Sequence, residues 1–494
     1  MRKEPPLPQD VWDKLAPDAQ AAILLLVQRY QQTIAALQQQ VTQLKGQLAQ
    51  LQTRLHQNSQ NSSRPPSTDP PGLKRSPPRQ RSGRKRGGQP GHSRHERALV
   101  PPDRVQETVP CKPAACRRCG ATLHGSDAEP LRHQVIELPP IAPHVTEYQL
   151  HRLVCPHCGT STCGQLPGGV PRGRFGPRLQ GVLSLLSGAY RLSKRMVETL
   201  SSDLLGIEIS TGEICALEQA SAAALDAPVA EARQYVQQQE SVGMDETSWR
   251  QNGGRAWLWI AVTTWVSVFA IRLSRGAQVA REMLGDAFGR VTSDRWSAYH
   301  WIPLLERQLC WAHLRREFQA MIDRGTTGGR AIGARLLGHS DVLFGWWHRV
   351  RDSTLSRATL HDYVMRLLRP AFREDLEAGA RCRCAKTAAT CRELLKVEPA
   401  LWTFVRHAGV EPTNNAAERT LRHAVLWRKA SHGTDSEAGS HFVENILTAV
   451  ASCRQQGRNV LDYLTCCCAA ALAGDAPPSL LPPQATGQPT LQAA

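Results

Sequence analysis

Between Val27 and Leu55 the apolar residues follow an unbroken alternation of three and four, and no other stretch restricts the fold of this chain so tightly. Val27, Tyr30, Ile34, Leu37, Val41, Leu44, Leu48, Leu51 and Leu55 carry the pattern, and the positions between them are rich in glutamine. A heptad of this kind specifies a helix whose apolar seam needs a partner surface. Val27, Ile34, Val41, Leu48 and Leu55 take the a positions and the d positions are mostly Leu. Branched residues at a with Leu at d favour a parallel two-stranded coiled coil, and hence a homodimer. A lone amphipathic helix lying on the protein's own core has the same period, so both readings stand for residues 12–56.

Composition changes abruptly after this helix. Residues 57–100 are rich in Ser, Pro, Gly and Arg and almost lack large apolar side chains, so they are expected to form a disordered basic linker. Lys74, Arg75, Arg79, Arg81, Arg84, Lys85 and Arg86 form a single-signed run within it. Such an arm neutralises phosphates without reading sequence, although a solvated linker without a partner has the same composition. The whole chain carries 60 Lys+Arg against 43 Asp+Glu, a net charge of +17, which favours nucleic acid or an acidic membrane face as partner. Its first ten residues contain no apolar signal core. The longest apolar run, Trp257 to Ile271, is broken by Thr263, Thr264 and Ser267 and is too short to span a bilayer. The expectation is a cytoplasmic protein with no membrane partner. Fifteen cysteines then point to metal binding rather than disulfides.

Four of those cysteines form two knuckles, Cys116-x-x-Cys119 and Cys155-x-x-Cys158, each followed directly by glycine. Two knuckles can give four thiolates to one structural zinc ion. Cys111, Cys163 and His157 lie nearby as spare ligands, and Ile136, Leu138, Tyr148 and Leu150 read as parts of short strands. A small zinc-binding β module is therefore expected over 101–170. A helical domain follows over 171–235, its third helix opened by a capping box, Ser210-x-x-Glu213. That cluster suits a helix-turn-helix reader of DNA and plain helical packing equally.

From Val242 onward the pattern becomes that of a mixed α/β sheet. Strands are expected at 241–244, 256–262, 266–273, 290–293 and 307–311, with a helix at 278–288. A helical insertion is expected over about 318–411 within a domain of 236–464, and a tail over 465–494. Three acids stand out by position. Asp245 follows the first strand, Asp294 ends the fourth, and Glu418 sits where a helix should open. Carboxylates at adjacent strand ends, joined by one from a packed helix, can hold two magnesium ions for phosphodiester cleavage. Each also has an ordinary reading. Asp245 and Asp294 can be solvated strand ends, and Glu418 can cap its helix from Asn415 while pairing with Arg422.

The ordered set of motifs resembles the insertion-sequence-66 family of bacterial transposases over nearly the whole chain. The motifs are Asn61 to Ser67, Arg84 to His92, the two knuckles, Asp245-Glu246-Thr247, Cys310 to Phe318, Thr413 to Arg419, Trp427 to Lys429 and Gln456 to Leu461. The resemblance implies a ribonuclease-H-like core with an Asp, Asp, Glu triad at Asp245, Asp294 and Glu418, cutting and joining DNA ends with two magnesium ions. It also implies small accessory transposition proteins as partners. One departure is that Arg295-Trp296 follows the second aspartate where Gly-Tyr is common. A catalytically inert, zinc-containing coiled-coil DNA-binding protein is the alternative. Cys310-x-x-His313 reads as a buried structural pair rather than a metal site. Arg84, Lys85, Arg86, Arg315, Arg316, Arg419, Arg422, Arg428 and Lys429 are candidate DNA contacts.

Overall fold

The computed structural model describes residues 7–55, 57–62, 69, 98–286, 288–324 and 326–482. The basic run from Lys74 to Arg86, including Arg84, Lys85 and Arg86, lies outside the described residues, as does the end of the chain from 483. A short helix α1 (Gln9–Trp12) precedes α2 (Pro17–Leu55), which is continuous for 39 residues. Its heptad residues from Tyr30 onward are exposed, with Ile34 at 52% and Leu48 at 58%. The helix is therefore not laid on the protein's own core, and its seam has no cover among the described residues.

Two small strands, β1 (Arg152–Val154) and β2 (Ser161–Cys163), pair antiparallel around the second knuckle. The strands expected at Ile136–Leu138 and Tyr148–Leu150 are not formed. Ile136, Leu138 and Tyr148 are exposed, so no buried face rewards strand pairing there.

Four helices follow: α3 (Pro177–Gly188), α4 (Lys194–Leu205), α5 (Thr211–Ala224) and α6 (Asp226–Gln237). The Ser210–Glu213 capping box opens α5 with both reciprocal bonds present, and Gly206, at φ +63°, closes α4.

The central sheet comprises β3 (Ser241–Gln251), β4 (Gly254–Val262), β5 (Ser267–Arg272), β6 (Arg290–Ser293) and β7 (Arg307–Leu309). Helix α7 (Ala277–Leu284) lies between β5 and β6 in sequence. The spatial order is β5-β4-β3-β6-β7; the first three strands are antiparallel and the last two run parallel to β3. A two-residue turn at Asn252-Gly253, both at positive φ, joins β3 to β4, as a hairpin with right-handed twist requires.

The insertion then runs through α8 (Trp311–Asp323), α9 (Thr327–Arg351), α10 (Arg357–Tyr363), α11 (Arg369–Ala380), α12 (Ala385–Lys396) and α13 (Thr403–Arg406). It carries its own core, in which Trp311, Phe372, Trp402 and Phe404 are fully buried. The chain returns to the sheet with α14 (Asn415–Ser431), α15 (Glu437–Gln455) and α16 (Val460–Ala473).

Helix α15 covers the outer edge of the sheet. The free N–H groups of Ser267, Phe269 and Ile271 donate to Ser452 Oγ, Thr448 Oγ1 and Glu444 Oε1 at 3.1, 3.0 and 2.6 Å. Four residues of helix rise about 6 Å and two of strand about 6.6 Å, so these spacings stay in step for two turns. An edge strand open to pairing is thereby closed. Helix α16 packs between α3 and α5, so the early helices and the end of the folded chain share one assembly. The tail expected from residue 465 begins later: α16 continues to Ala473 and Leu480 is fully buried. Leu464, Cys467 and Cys468 are buried in that packing, with Cys468 Sγ 3.8 Å from Ser221 Oγ of α5.

Candidate metal centre

Strand β3 is bonded on both sides, and its side chains alternate between the two faces of the sheet. Gly243, Asp245 and Thr247 share one face, and Met244 and Glu246 the other. The strand does not stop before Asp245, as the sequence had implied, but continues to Gln251. The parallel register pairs Gly243 with Thr292, and Asp294 follows directly on the end of β6, within electrostatic reach of Asp245. Neighbouring strands lie about 4.8 Å apart, so the two carboxylates leave adjacent backbones.

Helix α14 crosses the Gly243–Thr247 face and brings Glu418 to it in its first turn. A Cβ added at Gly243 would lie 2.9 Å from Asn414 Oδ1 and 3.7 Å from Ala417 Cβ, so only glycine admits the helix this closely. Asn414 fixes the approach. Its Nδ2 donates to Met244 O at 2.6 Å, and its backbone N–H donates to Cys310 Sγ at 3.2 Å. At the other end of the contact, Arg428 Nη1 donates to Thr247 Oγ1 at 2.9 Å and to Ser248. The expected Asn415–Glu418 capping box is absent; Asn414 is the N-cap and makes no side-chain cap bond. Glu418 faces His313 and Arg316, each at 3.6 Å.

Burial pushes the Asp245 carboxyl well above the usual carboxylate range, and the nearby charges of Glu246, Asp294 and Glu418 push it the same way. Three carboxylates thus come within electrostatic reach of Asp245 although Asp245 and Glu418 are 173 positions apart in the chain. Among them, Glu246 points to the opposite face and is satisfied there. It pairs with Arg275 at 2.7 Å and accepts from Tyr299 Oη at 2.5 Å.

The same Arg275 lies 3.8 Å from the ring centre of Trp296 and 4.7 Å from that of Trp257. Trp296 Nε1 donates to Arg275 O at 3.2 Å, and the Trp296 backbone N–H donates to Asp294 Oδ1 at 2.9 Å. The Arg295-Trp296 departure therefore has a structural use. Trp296 locks the turn after Asp294 onto β5–α7, while Arg295 pairs with Glu317 of α8. On the buried side, Arg307 donates to Asp294 O at 2.8 Å. Burial lowers the Arg307 pKa to about 10. Sequence reading missed Arg275, Tyr299 and Arg307 as supports; a charged residue opening the short β7 strand was the available signal for Arg307.

The candidate DNA contacts separate by location. Arg316 lies at Glu418. Arg315 turns to α9, where it pairs with Asp341 at 2.6 Å, and so leaves the carboxylates. Arg419 lines a cavity of about 220 Å³ with His423 and Arg454. Arg422 is exposed. Lys429 shares a groove of about 770 Å³ with Arg250, Arg255, Arg428 and His432 at the turn end of the β3–β4 hairpin. Arg250 and Arg255 were not anticipated from sequence, because nothing in the linear pattern places the hairpin beside α14.

The two knuckles have matching local geometry. The N–H of Cys116 donates to Ala121 O and that of Gly120 to Cys116 O; Cys155, Thr160 and Gly159 repeat this at 2.9 Å. Gly120 and Gly159 sit at φ +75° and +72°, which explains the glycine after each knuckle. Hydrogen bonds, chiefly from the Arg118 backbone, lower the Cys116 pKa, and Thr160 chiefly lowers that of Cys158. Thiols eased toward thiolate, in paired knuckles, fit zinc. Cys119 and Cys155 complete the donor set. Among the described residues the four sulfurs are not gathered into one cluster. No helix of the described residues is long and apolar enough to cross a membrane.

Residues 186–441, which include Asp245, Asp294 and Glu418, match a family described as "Transposase IS66 family". Residues 113–159, which include all four knuckle cysteines, match the "zinc-finger binding domain of transposase IS66". Residues 3–98 match a family of unknown function, DUF6444. An uncharacterized protein of Sinorhizobium fredii is 26% identical over 236 residues, covering 43% of this chain and 43% of its own length. The chain thus spans less than half the length of that curated relative.

Proposed function

The chain belongs to the IS66 family of transposases, whose match covers residues 186–441, and from that premise we propose that Asp245, Asp294 and Glu418 cut DNA at the ends of an insertion sequence and join them to a target. The observation that carries this is convergence: Asp294 and Glu418 both come close enough to bear on Asp245, whose carboxyl is raised chiefly by burial. Carboxylates held against their own repulsion, beneath a helix fixed by Asn414, form a place for divalent cations. Two magnesium ions there would make water a competent nucleophile and stabilise the leaving oxygen.

The protein's own groups set the geometry. Asp245 comes from a central strand and cannot move without breaking two ladders. Trp296 N–H orients the Asp294 carboxylate, and Arg316 stands where a phosphate beside Glu418 would need a cation. The freed 3′-hydroxyl would occupy the same place as the nucleophile for joining. The sheet order, with an antiparallel triplet continued by two parallel strands, supports a ribonuclease-H-like core. The basic groove at Arg250, Arg255 and Lys429 supports DNA along the hairpin. The uncovered heptad seam of α2 supports pairing of two copies through a coiled coil, which would bring two DNA ends together. DNA, a second copy and small accessory proteins are the partners of this reading, in the bacterial cytoplasm.

The test is magnesium-dependent cleavage of DNA bearing the element's ends by the full chain. Asp245→Asn should lower the rate on the order of 10³-fold with DNA binding retained. Unchanged cleavage by Asp245→Asn would remove the triad and favour the inert DNA-binding alternative.

A further inference from the structure

A second set of donors, of different chemistry, adjoins the carboxylates. Cys310 Sγ, a ring nitrogen of His313 and a Glu418 oxygen all lie within 4.8 Å of one another. Cys310 is the N-cap of α8 and is 1% exposed. Its sulfur accepts from the Asn414 N–H at 3.2 Å, an arrangement that suits a sulfur held as a metal donor.

The other two donors are incomplete. His313 Nδ1 and Glu418 Oε1 are both buried without a hydrogen-bond partner, and they face each other at 3.6 Å. Buried polar atoms are rarely left so. A single ion between them and Cys310 would satisfy all three. Thiolate, imidazole and carboxylate together suit zinc-class cations, whereas magnesium does not take a thiolate.

We propose that Cys310, His313 and Glu418 bind a zinc-class divalent cation, separate from the cysteine knuckles, and that Glu418 is shared between this ion and the magnesium centre. The Cys310 proton leaves to solvent as the ion binds. With Oε1 engaged there, Glu418 has one oxygen fewer to give the magnesium centre, so zinc restrains cleavage. The restraint rests on the reading of Glu418 as a magnesium ligand; the zinc site itself does not. On this proposal Cys310 and His313 act as ligands and not only as a buried structural pair.

The experiment measures zinc per chain by elemental analysis on full-length protein saturated with zinc and then desalted. Wild type should hold one equivalent more than Cys310→Ser and one more than His313→Ala, while Cys155→Ser should lose a different equivalent. His313 is partly exposed, so its alanine variant serves if Cys310→Ser does not fold. Cobalt(II) on wild type should show a sulfur-to-metal charge-transfer band that weakens in Cys310→Ser. Equal zinc in wild type and both variants overturns the site. Asp245→Asn, inactive on the functional reading, should keep the full zinc complement. Zinc added against fixed magnesium should inhibit wild-type cleavage, and a full extra equivalent without inhibition overturns the sharing of Glu418.

Discussion

Asp245 is held by a strand with neighbours on both sides and a helix above it, whereas Cys116 and Cys119 sit in a turn whose surroundings are almost wholly exposed. In the sheet, apolar burial builds the structure and the carboxylates are placed against their own electrostatics. Val242, Met244, Leu258, Trp259 and Ile260 are fully buried around them. In the knuckle segment, two three-residue strands and a few backbone bonds are the regular structure, and Val135, Val145 and Leu153 remain exposed. The first region has a core large enough to fold before any ion binds, whereas the second has too little core to fold without the zinc its knuckles would hold.

That contrast can be broken most directly by removing zinc. Structural zinc contributes about 10–16 kcal/mol of apparent binding energy in small fingers. Chelation, or Cys155→Ser, should abolish amide protection across residues 113–163 while the main thermal transition stays in place. Joint melting of both regions in calorimetry would show that the finger is part of the larger core.

A smaller effect, in the opposite direction, comes from Gly243→Ala. The new methyl meets Asn414, which is tied to Met244 O and cannot swing freely. Overpacking of this kind costs about 1–3 kcal/mol. Displacing the start of α14 should weaken magnesium affinity by roughly tenfold, read from the magnesium dependence of cleavage. Zinc bound at the knuckles should not change. An unaltered magnesium dependence would mean that α14 does not set the position of Glu418.

The smallest effect is on pH-dependent stability. The Asp245 and Glu246 carboxyls are both raised, by burial first and by neighbouring acids second. The folded protein therefore binds more protons than the unfolded chain above the ordinary carboxylate range. Without magnesium, stability falls as pH rises through that window up to the raised pKa values. Asp245→Asn should flatten this fall and melt higher than wild type at neutral pH by roughly 2–4 °C, corresponding to about 1 kcal/mol. Magnesium should stabilise wild type and not the variant. Parallel melting curves for the two proteins across pH would show that the carboxylates are not under strain.

Local signals were legible where they act over a few residues. The 39-residue helix, the Ser210–Glu213 capping box, the glycine after each knuckle and the strand–helix order of the sheet all follow from spacing and side-chain chemistry. The three acids and the ordered motifs also single out Asp245, Asp294 and Glu418 from sequence. Regular periodicity and positive-φ requirements are properties of neighbouring residues, so the linear pattern states them outright.

What the pattern could not state is which distant groups meet. The Glu246–Arg275–Trp296 latch joins three elements, and Trp296, a departure in sequence, donates its N–H to Asp294 in the fold. Arg315 and Arg316 are adjacent in sequence yet serve α9 and Glu418 respectively, because a helix turns successive side chains by about 100°. Cys310, His313 and Glu418 converge only because α14 crosses β3 at a glycine. The sequence by itself determined the elements and the chemical types of the side chains they offer. Tertiary structure alone decided the convergence, since charge repulsion and close backbone approach depend on distance through space and not along the chain.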